Sequence, residues 1–286
     1  MYVVTGSAGF IGSCVAASLV REDRGQVVLV DDFSRPDKAP NWSALSSCLR
    51  VDREAFGDWT LGKERDVRAI LHLGARTDTA EMDPAVLDRL NLRPSQRIWD
   101  LCVRHRIPLV YASSAATYGD GSLGFDDDHA KVPSLRPLNP YGESKQAFDR
   151  WVLERTERPP FWAGLKFFNV YGPNESHKGR MASVIFHAHR QIESGGTLRL
   201  FRSHRPDCRD GEQRRDFVYV LDVVRVLRFL LDAPATASGI YNLGTGEART
   251  FLDLGRAVFR AMGREPRIEF VDVPADIRHK YQYFTR

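Results

Sequence analysis

Short, almost wholly apolar runs alternate with longer stretches whose apolar residues recur at helical spacing, and this rhythm persists through the first half of the chain. Tyr2-Val3-Val4 predicts a strand, followed by glycines and a helix from Ile11 to about Arg21. Val27 to Val30 predicts a second strand that ends in Asp31-Asp32. Ala69 to Leu73 and Ile107 to Ser113 predict further strands, with a helical pattern from about Ala85 to His105 between them. A helix from Tyr141 to about Glu157 and a strand from Leu165 to Phe168 follow. Strands this apolar have no polar face to offer water, so they predict a parallel sheet covered by helices on both sides.

Beyond Phe168 the rhythm breaks. Asn169 to Lys178 is rich in Gly, Pro, Asn and polar residues and reads as a functional loop. Met181 to Ser194 predicts a helix, Leu198 to Phe201 a short strand, and Arg202 to Arg214 an exposed loop. A strand from Asp216 to Val220 leads into a helix at Leu221 to Leu231. Gly239 to Asn242, a helix from Thr250 to Met262 and a strand near Ile268 to Val271 complete the pattern. No repeat or low-complexity tract interrupts it.

Composition narrows the class. The chain has 286 residues, 43% of them hydrophobic, enough for a sizeable core. A net charge of +4 does not call for nucleic acid, although basic residues bunch between Arg199 and Arg215, a hint of a small anionic ligand. Cys14, Cys48, Cys102 and Cys208 lie far apart, which argues against a disulfide framework or a zinc site and suits a reducing cytoplasm; no metal is expected. Met1 runs straight into a strand, so no signal peptide is expected. No apolar run approaches the roughly 20 residues that span a bilayer, so no membrane segment is expected either.

Gly6-Ser-Ala-Gly9-Phe-Ile-Gly12 lies directly between a strand and a helix. Glycines there permit a tight turn, close approach to a pyrophosphate and close packing of helix on strand, with the helix N-terminus facing the phosphates. The spacing is GxxGxxG rather than GxGxxG. Asp31 sits near the offset expected for a ribose contact. The Asp31-Asp32 pair favours a free 2′-hydroxyl, whereas Lys38 and Arg53 bring positive charge suited to a 2′-phosphate; each lysine or arginine alone also reads as a solvated surface charge. The expected fold is therefore α/β, a Rossmann-type doubly wound parallel sheet with a smaller α/β substrate-binding lobe. Residues 1–168, with 216–240 returning to them, form the dinucleotide-binding domain, and 169–215 with 241–286 the substrate lobe.

Tyr141-Gly-Glu-Ser-Lys145 puts a phenol and an ammonium at i and i+4 on one helical face. A nearby ammonium favours tyrosinate and brings the phenol pKa down from about 10, which makes proton exchange with an alcohol feasible. Ser113 and Ser114 close the preceding strand, where a hydroxyl can hold a substrate oxygen. With the glycine loop, this set resembles the extended short-chain dehydrogenases/reductases. Ala112 to Gly119 (ASSAATYG), Phe168 to Val184 (FNVYGPNESHKGRMASV), Arg215 to Val223 (RDFVYVLDV), Asn242 to Phe251 (NLGTGEARTF) and Lys280 to Thr285 (KYQYFT) look like the ADP-heptose 6-epimerase family. They span nearly the whole chain, and His177 to Ser183 is the most specific of them.

The resemblance implies that hydride leaves the sixth carbon of a heptose for a tightly held nicotinamide dinucleotide and returns to the other face of the ketone. Two faces need two acid/base groups, and the resemblance assigns Tyr141 and Lys178, with Lys145 and Ser114 completing the catalytic set. It also implies a cofactor, NADP with NAD as the alternative, held by Gly6, Gly9, Phe10, Ile11, Gly12, Asp31, Asp32, Lys38, Arg53, Leu73, Gly74, Ala75, Arg76, Asn91, Lys145, Val170 and Lys178. Ser114, Asn169, Arg180, His187, Phe201, Arg215 and Tyr281 would hold the nucleotide-sugar. Lys178 also reads as a loop lysine on a phosphate, and His187 as a packing histidine. Further implications are a homo-oligomer, a pentameric ring among its forms, and a cytoplasmic place in lipopolysaccharide-core heptose supply.

The chain departs from this family at Arg76 and Asp78, where small polar residues are usual, and at Arg180, beside the lysine. Its 202–214 loop is long, and it stops at Arg286 where relatives continue, which reads as a trimmed end or an uncovered sheet. Pocket contacts set substrate choice, so a UDP-sugar 4-epimerase or another sugar-nucleotide reductase stays open. A 4,6-dehydratase would need a Thr-Asp-Glu set where Ala115-Ala116 stand. A catalytically silent dinucleotide-binding sensor is the reading from another class.

Overall fold

In the computed structural model, which describes residues 1–274 and 283–286, the chain runs through β1 (Tyr2–Thr5), α1 (Phe10–Arg21), β2 (Val27–Asp31), β3 (Leu49–Asp52), β4 (Ala69–His72), α2 (Arg93–His105), β5 (Leu109–Ser114), α3 (Pro140–Leu153), β6 (Trp162–Phe167), β7 (Asn169–Tyr171), α4 (Val184–Gly195), β8 (Leu198–Phe201), β9 (Arg214–Tyr219), α5 (Val220–Leu231), β10 (Gly239–Leu243), β11 (Ala248–Thr250), α6 (Phe251–Ala261) and β12 (Ile268–Val271), with shorter turns between. Seven strands form one parallel sheet in the order β10-β6-β5-β4-β1-β2-β3. The order reverses between β1 and β4, which opens a crevice at the carboxyl ends of the strands, where ligands bind in doubly wound sheets.

Side-chain alternation explains why both faces are covered. Val4, Leu29, Leu71 and Val110 pack with α1 and α5, while Val3, Val28, Ile70 and Leu109 pack with α2 and α3. Each is at most 1% exposed, so truncating one, Leu71→Ala for example, removes about 2–5 kcal/mol of packing. The edge strand β10 is closed by side chains rather than by another strand: Ile240 N donates to His129 Nε2 at 2.9 Å and Asn242 N to Asp127 Oδ2 at 2.6 Å.

The second half builds two small sheets above the crevice. β9 pairs in parallel with β7 and antiparallel with β11, and β12 pairs in parallel with β8. Helices α4 and α6 close a separate core of Ala188, Ile192, Leu198, Leu200, Phe251, Leu254 and Phe259. Of residues 216–240, α5 packs on α1 beneath the large sheet, whereas β9 belongs to the three-stranded sheet.

Several boundaries differ from the pattern-based expectation for local reasons. The helix expected from Met181 starts at Val184, because the Ser183 hydroxyl accepts from Phe186 N and caps it there. The stretch Ala85–His105 is one helical path broken by a π-helical turn at Asp88–Leu92. Part of the expected loop after Phe168 is strand β7, and β3 and β11 carried too few apolar positions to register. Among the described residues, no helix is long and apolar enough to cross a membrane.

Candidate active site

Gly6 turns the chain out of β1 with φ +69°, and a Cβ there would lie 2.6 Å from Gly74 N. A Cβ on Gly12 would meet Gly6 O at 2.1 Å. These glycines let β1, the loop after β4 and α1 close on one another. Gly9 caps α1 with no side-chain hydrogen bond, so the first-turn N–H groups stay open to an anion. Beside them Asp31 accepts from Ala8 N at 2.9 Å, from Asp32 N at 2.7 Å and from Lys38 Nζ at 3.0 Å. Asp31 thus braces the glycine loop and holds Lys38. Asp32, held by Ser34, and Arg53, paired with Glu54, stand more exposed at the same edge. An uncovered helix N-terminus beside a carboxylate and two cations fits a nicotinamide dinucleotide.

Leu73, Gly74 and Ala75 line the loop after β4 and are half-buried. Asn91 sits on the π-helical turn, 2% exposed, with its amide fully engaged: its Oδ1 accepts from Arg76 N at 2.7 Å, while Nδ2 donates to Arg76 O and to Ser144 Oγ. Its side chain therefore ties the cofactor loop to α3, and the unusual turn aims it there. Ser144 in turn donates to Tyr141 O. His72, buried between Thr5 Oγ1 at 2.7 Å and Ser95 Oγ at 2.9 Å, is pulled down to a pKa of about 3 by burial and by Lys145.

Asn139 caps α3, accepting from Gly142 N, with Pro140 in the first turn, and this sets Tyr141 against the end of β5. A Cβ on Gly142 would lie 2.8 Å from Ala116 O, so this glycine permits the close approach. Ser114 caps the turn after β5 and hydrogen-bonds Tyr141. Lys145 Nζ donates to Ala112 O at 2.8 Å, and burial lowers its pKa to about 8. The expected lowering of the Tyr141 pKa does not hold: burial raises it, and the Ser114 hydrogen bond alone opposes that. The physical reason is burial: the phenolate would lose more hydration inside the fold than the Ser114 hydrogen bond returns.

Lys178 arrives from the second half. It lies in the 3-10 turn Ser176–Met181, with Nζ 5.5 Å from the centre of the Phe10 ring. Burial lowers its pKa while Glu175 raises it. Asn41 holds this turn to the glycine loop, donating to Ala8 O and Asn174 O, each at 3.1 Å, and meeting His177 Nδ1 at 3.1 Å. Glu175, 3% exposed, accepts from Gly172 N and from Ser183 Oγ and so fixes both ends of the segment. Neither Asn41 nor Glu175 carries a signal in the sequence, because both act on backbone groups distant along the chain.

The three departures form one interacting set. Asp78 meets Arg180 at 3.2 Å and Arg76 at 3.4 Å, and Arg76 meets Glu81 at 3.5 Å. The loop after β4 is thus tied by charge to the turn that carries Lys178. Val170 is half-buried on β7; Asn169 Nδ2 donates to Asp216 O and Thr285 Oγ1, each at 3.2 Å. His187, half-buried on α4, faces Phe186 edge-on. Phe201 ends β8, and the buried Arg215 lies over the Phe251 ring. Tyr281 lies outside the described residues. Asp216, which sequence reasoning passed over, binds Thr245 N, Thr245 Oγ1 and Gly246 N and shapes the turn after β10.

The epimerase profile described as the NAD dependent epimerase/dehydratase family matches residues 2–244. The chain is 50% identical over 290 residues to the ADP-L-glycero-D-manno-heptose-6-epimerase of Nitratidesulfovibrio vulgaris strain DP4, covering 100% of this chain and 88% of that one. The crystal structure of the Helicobacter pylori ADP-L-glycero-D-manno-heptose-6-epimerase superposes with a TM-score of 0.80 at 24% identity, over 95% of this chain and 84% of that one. The UDP-glucose 4-epimerase of Thermus thermophilus in complex with NAD gives 0.73 at 26% identity, over 99% and 88%.

Proposed function

The chain belongs to the NAD dependent epimerase/dehydratase family, and from that premise we propose that it inverts the sixth carbon of ADP-D-glycero-D-manno-heptose to give ADP-L-glycero-D-manno-heptose. What supports this reading most is that Tyr141 and Lys178, from different halves of the chain, come to the same crevice. Tyr141 stands with Ser114 at the end of β5, and Lys178 stands over Phe10 just beyond β1. Strand β4 lies between β5 and β1, so the two strand ends are roughly 10 Å apart.

The dinucleotide, when bound, supplies the hydride acceptor and donor. Tyr141 and Lys178 each hold and move the proton of the sixth-carbon oxygen in one of the two orientations of the sugar. Burial lowers the Lys178 pKa, so its ammonium gives up a proton more readily near neutral pH, while the buried Tyr141 phenol stays protonated and is set to donate. Ser114 orients the oxygen, and Lys145 orients Tyr141 and the ribose side of the cofactor loop. Arg215 and Arg180 offer charge to a diphosphate, with Asn169, His187 and Phe201 lining the nucleotide-sugar pocket. The large sheet carries the cofactor and the smaller sheets the substrate.

Lys38 and Arg53 beside Asp31 favour NADP over NAD as the working form. Self-association as a ring, a cytoplasmic location and supply of heptose for lipopolysaccharide core belong to the same proposal. The test is single substitution: Tyr141→Phe and Lys178→Met each keep the cofactor and lose epimerisation by about 100-fold or more. Full activity in either variant removes that residue from its role.

A further inference from the structure

Tyr141, Lys145 and Asp149 recur at i, i+4 and i+8, so they share the face of α3 that lies on β5 and β6. Asp149 is fully buried, as is its partner Lys166 on β6. Its carboxylate accepts from Lys166 Nζ at 2.7 Å, Ser113 Oγ at 2.6 Å and Tyr111 OH at 3.1 Å. Lys166 also donates to Thr117 Oγ1 at 2.8 Å, and Thr117 Oγ1 donates to Ser114 O at 2.8 Å. One ion pair therefore keys the catalytic helix to two strands and to the turn that presents Ser114.

Packing alone does not require this. A buried ion pair is at best neutral for stability against apolar residues of the same volume, and most neighbouring positions on these strands are apolar. What a charge pair adds is direction and field. From these contacts we infer that Asp149 and Lys166 are positioning residues for the Ser114–Tyr141–Lys145 set, holding the Ser114 turn in register with α3. This rests on the proposed epimerase reading, since it gives that set its task.

The charges around Lys145 agree with it. On its own helix it faces Tyr141, a neutral phenol, and Asp149; from β4 it faces His72, which is neutral because burial and Lys145 itself hold its pKa at about 3. From β6 comes Lys166, neutralised by Asp149. Burial is the main influence on Lys145 and lowers its pKa to about 8, and Asp149 is the group that opposes it. Removing the carboxylate therefore lowers the Lys145 pKa further, and the ammonium is lost at a lower pH.

The experiment compares wild type with Asp149→Asn, which removes the carboxylate, with Asp149→Asn/Lys166→Met, which removes both charges without stranding either, and with Thr117→Val, which is isosteric and removes the hydroxyl that joins Lys166 to Ser114 O. The chain holds seven lysines, so the Lys145 ammonium can be followed by NMR of lysine-labelled protein, independently of turnover. The expected result for Asp149→Asn is a Lys145 midpoint lower by about half a pH unit or more, with the alkaline limb of kcat moved to the same extent; the double variant, which loses a net-neutral pair, is expected to lower kcat about threefold or more with KM unchanged. Thr117→Val is expected to lower kcat about threefold or more with KM unchanged. A wild-type midpoint in Asp149→Asn, or wild-type kcat in the double variant or in Thr117→Val, overturns the assignment. Should wild type itself fail to epimerise the heptose, the functional reading fails while the NMR midpoint still judges the ion pair.

Discussion

Lys38 is the residue at which a contact of the fold coincides with a proposed contact to the cofactor. Its ammonium lies 3.0 Å from Asp31, whose other contacts hold the glycine loop. It neutralises the carboxylate that would repel a 2′-phosphate at the end of β2. Lys38→Ala is therefore expected to weaken NADP binding about tenfold or more and NAD binding much less, as measured by titration of each dinucleotide; equal losses remove Lys38 from the discrimination. Asp78 and Arg180 belong together in the same way. Arg180 is 69% exposed on its side chain, so their coupling in a double-mutant cycle of Asp78→Asn and Arg180→Gln should be about 0.5–1 kcal/mol in kcat/KM and fade in salt. Additive losses would show that the two charges do not act as a pair. The sequence displayed both residues as separate oddities, because nothing along the chain brings position 78 to position 180.

At the scale of elements, the 172–183 segment is the part most dependent on contacts that a sequence does not display. Its lysine was legible from the His177–Ser183 likeness, but its support was not. Glu175 holds Gly172 N and Ser183 across eight residues, and Asn41 ties the same turn to Ala8 and Asn174. Glu175→Ala is expected to lower stability by about 1.5–3 kcal/mol in denaturant melts and to cut kcat about tenfold or more with cofactor binding intact. Normal kcat in a folded variant would mean that Lys178 does not need this brace. The strands of the large sheet were readable because double burial makes them apolar throughout. β3 was not, since only Val51 of its four residues is buried. The π-helical turn was not, since it preserves an apolar stripe while rotating Asn91 onto Arg76 and Ser144. The buried Asp149–Lys166 pair was equally hidden, because a charged residue on a helix reads first as solvated.

For the whole molecule, the reversal of strand order between β1 and β4 makes one crevice, and two halves of the chain supply its opposite walls. The first half brings the glycine loop, Ser114, Tyr141 and Lys145; the second crosses over to lay Lys178 on Phe10. In the proposed mechanism, hydride leaves one face of the sixth carbon and returns to the other while Tyr141 and Lys178 move the proton at its oxygen, and the dinucleotide stays bound throughout. The most direct test is to incubate the purified protein with ADP-D-glycero-β-D-manno-heptose, without added cofactor, and to resolve the two sixth-carbon epimers by anion-exchange chromatography. The account predicts interconversion to an equilibrium mixture by the protein as purified. No interconversion, even after addition of NADP or NAD, would contradict it.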